Sequence, residues 1–239
     1  LAGGVPALVL TLPVMLLAPL LCRDCRSRAV IGGIAAGCVA TMEAAAISLG
    51  EFGAAPAFAG EAFVGVYKHD VTFIGKAVGL GAAGREGGAD IHLGYRTNRI
   101  ESLDWLGKPQ VHAMVSINTN NTSNFAAVGF NWKVELGQPG GFYLRPGMGL
   151  AYTDGKAGLP PANAPNLTPE ERARRTWLYY NRIDFGSKVL FEPELALGYQ
   201  VNDKVSVELS YTHLSNGQIF HQGKNQGLDD AGVRLVYAF

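Results

Sequence analysis

Cysteine is scarce in this chain of 239 residues, and all of it lies near the N-terminus. The three cysteines, Cys22, Cys25 and Cys38, precede residue 60, so the rest of the chain has no thiol for a disulfide or a metal site. Cys22 and Cys25 form a single CxxC pair, with no second pair and no redox-fold context around it. Coincidence explains a pair of this kind, and we exclude a cysteine-based function.

The chain also lacks an excess of charge of either sign, since 20 Lys and Arg residues balance 20 Asp and Glu residues. A neutral chain does not favour nucleic acid as a partner. The sequence contains no G-x-S-x-G motif, no Walker phosphate loop and no zinc spacing of Cys or His pairs. We therefore expect no metal ion and no other cofactor.

Apolar and polar residues alternate in eight segments of the chain after residue 60. Strand side chains alternate with period two, so Ile91 and Leu93 face one way while Asp90 and His92 face the other. Each alternating segment is near the roughly 9–11 residues that a tilted membrane strand needs. The eight segments are residues 62–72, 88–97, 109–118, 124–135, 141–153, 187–201, 204–215 and 228–239.

The polar face of these segments separates two all-β interpretations. A soluble β-sandwich would alternate as well, but its polar face would be solvated. Here the polar face carries charges of both signs, among them Arg96, Arg145, Glu192, Glu194 and Glu208. Such charges can pair inside a small closed barrel. The pattern therefore predicts an all-β fold, an eight-stranded antiparallel transmembrane β-barrel over residues 60–239, with its charged residues inside.

The first 59 residues are predicted to be an apolar leader outside the barrel. Basic residues at 23–28 precede a second apolar run, and Ala57-Phe58-Ala59 has the A-x-A form of a signal-peptidase site. These features favour a signal peptide whose N-terminus is over-extended, with the exported chain starting near Gly60. The alternative is a helical membrane anchor, for which the apolar run at residues 1–22 is marginally long enough.

The longest connection, residues 154–185, is polar and rich in proline, and we expect it to be extracellular with a short helix at Pro169–Arg175. If the N-terminus and the C-terminus of the barrel are both periplasmic, the connection between the last two strands is extracellular too.

The last 27 residues place three reactive side chains on one face of a predicted hairpin. His213 and Ser215 continue the apolar face of the seventh segment, because they share the parity of Leu209. In the last segment Asp229 shares the parity of the apolar residues, whereas Asp230 shares the parity of Arg234. Antiparallel pairing therefore brings His213, Ser215 and Asp229 to one rim.

Those three residue types suit nucleophilic catalysis. A Ser hydroxyl becomes a nucleophile when a His accepts its proton, and a carboxylate fixes the tautomer of that His. The H-x-S pair places both side chains on one face with Cα atoms roughly 6.5–7 Å apart. Because the face is otherwise apolar, the pattern suggests an enzyme that acts on lipid from within a membrane. The alternative is a His and a Ser at a solvated loop end.

The run His213-Leu-Ser215-Asn216, followed by Asn225-Gln-Gly227-Leu-Asp229 and a strand that ends in an aromatic residue, resembles the lipid A 3-O-deacylase (PagL-type) family. The resemblance implies an eight-stranded outer-membrane barrel with a Ser-His-Glu triad on its lipid-facing wall. It implies Ser215 as nucleophile, His213 as base, and Asp229 in place of the usual Glu. It also implies an oxyanion hole formed by Asn225 and a backbone N–H near Gln218.

This chain departs from the family pattern at three points. Asp229 is one methylene shorter than Glu, the loop before Asn225 is about two residues longer, and Gly217-Gln218 replaces the usual small-residue–Gly order.

The resemblance implies a carboxylic ester hydrolase of the bacterial outer membrane that removes the 3-O-linked acyl chain of lipid A. Its substrate would be lipid A within lipopolysaccharide, and the triad chemistry needs no metal. Two alternatives stay open, namely a non-catalytic barrel for structure or adhesion and a lipid A acyltransferase. A homodimer is also left open.

Overall fold

The computed structural model describes residues 59–73, 77 and 83–239. The predicted leader therefore lies outside the described residues, apart from its last one, and stays a prediction. None of the helices among the described residues is both long and apolar enough to cross a membrane.

The described residues form a closed antiparallel barrel, as predicted. One edge strand, β4, pairs with β6, and the first and last strands, β1 and β9, also pair, so the sheet closes on itself. The short strand β5 continues β4 along β6, which leaves eight staves. The strands are β1 (Gly60–Lys68), β2 (Ala89–Thr97), β3 (Gln110–Asn118), β4 (Phe125–Asn131), β5 (Val134–Glu135), β6 (Phe142–Thr153), β7 (Val189–Gln200), β8 (Val205–Leu214) and β9 (Leu228–Ala238).

Two predicted strands differ from those observed by more than two residues, and the other boundaries agree within two. The fourth segment is interrupted between β4 and β5 because Pro146 lies opposite Trp132 and has no N–H to donate, although Trp132 N–H donates to the Pro146 carbonyl at 3.0 Å. The first strand ends at Lys68 instead of residue 72, since Asp70 adopts a left-handed conformation with φ +53° that turns the chain.

The two rims of the barrel differ in their connections. The turn rim carries Gly60, Ala238 and the β2–β3, β4–β6 and β7–β8 connections, with a 3₁₀ helix at Glu101–Leu106 in the first of these. The loop rim carries the β1–β2, β3–β4, β6–β7 and β8–β9 connections.

The β6–β7 connection contains a helix, the loop helix, at Pro169–Asn181. It begins as predicted, because Thr168 Oγ1 accepts a hydrogen bond from Glu171 N–H at 3.2 Å and Pro169 occupies the first turn. It runs six residues beyond the predicted end at Arg175, since neither Pro nor Gly interrupts the chain before Asn181. Ile183 and Phe185, which follow it, are fully buried and anchor the connection.

Apolar side chains form the outer wall of the barrel. Val66, Leu209 and Val233 are 58%, 61% and 52% exposed, which in a barrel of this kind is the surface that contacts lipid. Glu192 and Glu194, by contrast, are 0% and 5% exposed, as the alternation predicts for the interior face.

The interior charges form a network that we call the central network: Glu61, Arg96, His112, Arg145, Glu192, Glu194, Glu208 and Arg234. Glu208 lies at its centre and accepts hydrogen bonds from Arg96 at 3.1 Å, from Arg145 at 3.0 Å and from Arg234. The remaining carboxylates are also paired, since Arg234 contacts Glu194 at 2.9 Å and His112 contacts Glu192 at 3.1 Å. Charges this deeply buried are tolerated only when they are paired.

Candidate active site

The register of the last two strands brings His213 and Asp229 together. They are direct cross-strand partners between β8 and β9, and His213 Nδ1 is hydrogen-bonded to Asp229 Oδ1. His213 is 5% exposed and Asp229 is fully buried, although both have the parity of the outer wall. With Nδ1–H donating to the carboxylate, His213 Nε2 carries the lone pair, and it makes no hydrogen bond with the residues that the structure describes.

Ser215 continues β8 on the same face as His213. Its backbone N–H and carbonyl both pair with Phe191 of β7, at 3.2 and 2.7 Å. The bridge between Phe191 and Ser215 keeps the register of the β7–β8 pairing, in which the last regular pair is Glu194 and Thr212. Ser215 therefore keeps its outward parity, and the same register sets Pro193 opposite His213.

The hydroxyl of Ser215 makes no hydrogen bond with His213 in this structure. Hydrogen bonds between a nucleophile and its base often shorten only when substrate is bound. The two side chains share one face two residues apart, and rotation about χ1 of Ser215 changes the distance between Oγ and the imidazole.

An aromatic pair lies beside Ser215. Phe191, its cross-strand partner, stacks on Phe220 of the β8–β9 connection with ring centroids 4.8 Å apart. Gly217 packs directly on Phe191, because a Cβ at Gly217 would lie 2.9 Å from the ring. Ser215 is thus next to an apolar surface that continues onto the outer wall.

Asn216 fixes the connection that follows Ser215. Its side-chain NH₂ donates to the carbonyls of Phe185 and Lys224 at 2.6 and 2.8 Å, and its backbone N–H donates to Asn225 Oδ1 at 2.8 Å. Asn216 is fully buried, and its bond to Phe185 ties the β8–β9 connection to the β6–β7 connection.

The two predicted oxyanion donors differ in their availability. The Gln218 N–H donates to Asn216 Oδ1 at 2.7 Å, so it would have to leave that acceptor to bind an oxyanion. The Oδ1 of Asn225 accepts the hydrogen bond from Asn216, whereas its side-chain NH₂ makes no hydrogen bond with the described residues. The NH₂ group of Asn225 is therefore the more available donor of the two.

Asp230, the neighbour of Asp229, belongs to the other side of the wall. Its carboxylate accepts a hydrogen bond from Asp70 N–H at 3.3 Å and lies 3.5 Å from His69 Nδ1, inside the barrel. The structure thus separates the two consecutive aspartates, one towards His213 and one towards the interior.

Sequence reasoning missed the roles of Asn216, Phe191 and Phe220. The position of Asn216 directly after Ser215 is the only sequence signal for the first. The aromatic pair depends on the register between β7 and β8, which the sequence of either strand does not give.

A family model described as lipid A 3-O-deacylase (PagL) matches residues 86–238, more than half of the chain. Among solved structures, the outer membrane enzyme PagL gives a TM-score of 0.44 at 14% identity, covering 75% of this chain and 99% of that one. The N-terminal β-barrel domain of Pseudomonas aeruginosa OprF gives 0.41 at 10% identity, covering 75% and 99%. Neisserial surface protein A gives 0.41 at 11% identity, covering 75% and 96%. No curated protein matches the sequence significantly.

Proposed function

We propose, since the chain belongs to the lipid A 3-O-deacylase (PagL) family of the bacterial outer membrane, that it hydrolyses the ester of the 3-O-linked acyl chain of lipid A. The observation that carries the proposal is the cross-strand pair of His213 and Asp229, with Ser215 in register on the same outward face. A barrel with a purely structural role gains nothing from ionisable side chains of this parity, because charge on the lipid side costs free energy.

The chemistry assigns one role to each side chain. Ser215 Oγ attacks the ester carbonyl while His213 Nε2 accepts its proton. The tetrahedral intermediate then expels the 3-oxygen of the sugar, which takes the proton from His213, and the acyl group stays on Ser215. His213 next removes a proton from water, the hydroxide attacks the acyl-enzyme, and the free fatty acid leaves as the proton returns to Ser215. Asp229 keeps Nδ1 protonated throughout and stabilises the imidazolium.

Negative charge develops on the carbonyl oxygen both when Ser215 attacks and when water attacks, and a hydrogen-bond donor has to stabilise it in both steps. The side-chain NH₂ of Asn225 is proposed to supply it, because Asn225 commits only its oxygen to the loop. A donor of this type stabilises the transition state by about 3–4 kcal/mol.

The surroundings of Ser215 suit an acyl chain. The stacked rings of Phe191 and Phe220 form an apolar surface beside the hydroxyl, and the outer wall below it is apolar. If the loop rim faces the cell exterior, these residues lie at the level of the outer leaflet, where the sugar of lipid A meets its acyl chains.

Mass spectrometry of lipid A tests the proposal. Cells that express the wild-type chain should contain lipid A lighter by one 3-linked acyl chain, and cells that express Ser215→Ala should not. Ser210→Ala is the matched control, because Ser210 lies on the same strand but is buried in the interior. Unchanged activity in Ser215→Ala would contradict the mechanism. Lipid A that stays intact with the folded wild-type chain would favour the structural alternative, and an acyl group recovered on an acceptor lipid would favour the acyltransferase.

A further inference from the structure

A second group of ionisable side chains lies inside the barrel at the loop rim. We call it the rim cluster: His69, Glu86, Asp90, His92 and Asp230. All five are buried, and they join the end of β1, the β1–β2 connection, β2 and β9. One ligand atom each from His69, Asp90 and Asp230 lies within 4.8 Å of the others.

The rim cluster has an excess of negative charge that the central network does not have. In the central network four carboxylates meet three guanidinium groups and His112. In the rim cluster Glu86 has a cationic partner in Arg182, at 2.7 Å. Asp90 and Asp230 contact no Lys or Arg among the described residues. Two buried carboxylates therefore require positive charge either from a protonated histidine or from one divalent ion.

The contacts of His69 fix how its ring faces these carboxylates. Its Nε2 lies 3.2 Å from Glu86 Oε2, a carboxylate that Arg182 also holds, and its Nδ1 is hydrogen-bonded to Asp90 Oδ2 at 2.7 Å. A protonated ring donates from both nitrogens, whereas a ring with its only proton on Nε2 turns the lone pair of Nδ1 towards Asp90 Oδ2 and towards Asp230 Oδ1, which is 3.5 Å away. Lone pairs at such distances require a proton or a cation between them. The second of these states has the usual arrangement of a metal-binding His, which donates one N–H to an outer carboxylate and offers its other nitrogen to the ion.

His92 supplies an independent observation. It is fully buried, and neither of its ring nitrogens has a hydrogen-bond partner among the described residues. Its Nε2 points at Asp230 Oδ2, 3.6 Å away, and that oxygen has no partner among them either. Stacking on Tyr67, with ring centroids 3.7 Å apart, holds the imidazole in this orientation. These two unpartnered atoms, His92 Nε2 and Asp230 Oδ2, face each other across the cluster.

We propose that the rim cluster binds one divalent transition-metal ion, with zinc as the best fit, through His69 Nδ1, Asp90 and Asp230, and that the imidazole of His92 moves inward to supply the fourth ligand. Two imidazoles and two carboxylates favour zinc over calcium or magnesium, which prefer oxygen ligands alone. Bonds of about 2.0–2.1 Å put tetrahedral ligands about 3.3 Å apart. The separations of 3.5 and 3.6 Å are near that value, and the 2.7 Å contact has to open by about 0.6 Å. The ligand atoms of His69, Asp90 and Asp230 already lie within 4.8 Å of one another, whereas His92 Nε2 lies outside that group and has to approach it when the ion binds.

The proposed ion would cross-link the ends of three strands. His69 follows β1, Asp90 and His92 belong to β2, and Asp230 belongs to β9, directly after Asp229. Its role would be structural, since its ligands face the interior and join three strands. The proposal does not depend on the proposed function.

Zinc titration of the purified barrel, without a polyhistidine tag and stripped of metal beforehand, tests the proposal. We expect one zinc ion per chain, bound in competition with a chelating dye, and a higher unfolding temperature with zinc. Calcium and magnesium at the same concentrations should do neither. His92→Gln and Asp230→Asn should lose the bound ion, and Glu86→Gln should weaken its affinity by about 10–100-fold.

Two control variants separate this site from others. His112→Gln removes a buried His of the central network, and His221→Gln removes an exposed His of the β8–β9 connection, so both should keep full binding. X-ray absorption of the zinc-loaded wild type should reveal two imidazole ligands, which decides the case even if a variant does not fold. Absence of zinc binding by the wild type, a shell of oxygen ligands alone, or equal binding by His92→Gln would overturn the proposal.

Discussion

At the scale of single residues, two consecutive aspartates lie in different environments. Asp229 is hydrogen-bonded to His213 on the outer side of the wall, whereas Asp230 lies beside His69 in the interior. The alternation of the last strand predicts this division, because parity can be counted back from Val233 and Arg234. Contacts in the loops were not predictable in this way. The commitment of the Gln218 N–H to Asn216 depends on a turn whose two left-handed residues, Gly217 and Gln218, leave no pattern in the sequence.

Replacement of Asp229 tests its proposed role. Asp229→Asn keeps the shape of the side chain but favours the wrong tautomer of His213, so kcat for lipid A deacylation should fall by about 10⁴-fold. Asp229→Glu restores the carboxylate and should recover much of the rate. Asp230→Asn, which changes the interior instead, should lose less activity in barrels that are folded by circular dichroism. Equal losses from Asp229→Asn and Asp230→Asn would refute the assignment by parity.

The oxyanion donor can be separated from the loop contact of the same residue. Asn225→Asp keeps the Oδ1 acceptor that holds Asn216 but removes the NH₂ group, so the loop should persist. We expect kcat to fall by about 10²–10³-fold. Single-turnover measurement of fatty acid release reports the chemical step. Asn225→Ala, which also removes the acceptor, should in addition expose the loop to proteolysis. A wild-type rate for Asn225→Asp would leave the donor unassigned.

At the scale of elements, strand positions followed from alternation but strand ends did not. The break between β4 and β5 has its cause in Pro146 of the neighbouring strand, so it becomes visible only when the register is known. The start of the loop helix, by contrast, can be predicted from the local sequence, because Thr168, Pro169 and Glu171 form it. Its end depends on the burial of Ile183 and Phe185, which the sequence of the helix does not specify.

The loop helix should respond to acid through Glu171. Hydrogen bonds from Arg174 and then Arg175 lower the pKa of this carboxyl to about 2. Because the pKa is depressed in the folded helix, its contribution is fully present above the ordinary value of 4.5 and is lost as the pH falls through about 2. An NMR titration of the Glu171 carboxyl checks this value. In the double variant Arg174→Gln and Arg175→Gln the midpoint should return towards 4.5, and an unchanged midpoint would exclude the ion pairs as the cause.

At the scale of the whole molecule, the central network links strands that are far apart in the chain. Glu208 of β8 contacts arginines of β2, β6 and β9, so one carboxylate holds together staves from around the barrel. Alternation predicted that these charges lie inside, but not that Glu208 is their centre, since that depends on register and strand tilt together.

Removal of that carboxylate should destabilise the barrel as a whole. Glu208→Gln leaves three buried guanidinium groups short of negative charge, and we expect a loss of about 3–5 kcal/mol in the free energy of unfolding. Urea unfolding in lipid vesicles measures it. The matched control is Glu101→Gln, an exposed carboxylate paired with Lys108, for which the loss should stay below about 1 kcal/mol. Similar losses in both variants would contradict a central role for Glu208.

The outward parity of Ser215 and His213 determines how such an enzyme would encounter its substrate. A site on the outer wall is reached by diffusion within the plane of the leaflet, in two dimensions, and not from the water. The quantity that sets its occupancy is then the mole fraction of lipid A among the surrounding amphiphiles. Addition of inert detergent at a constant total amount of lipid A would slow the reaction by surface dilution alone. The apparent KM would then be expressed as a mole fraction of lipid A in the surface and not as a bulk concentration.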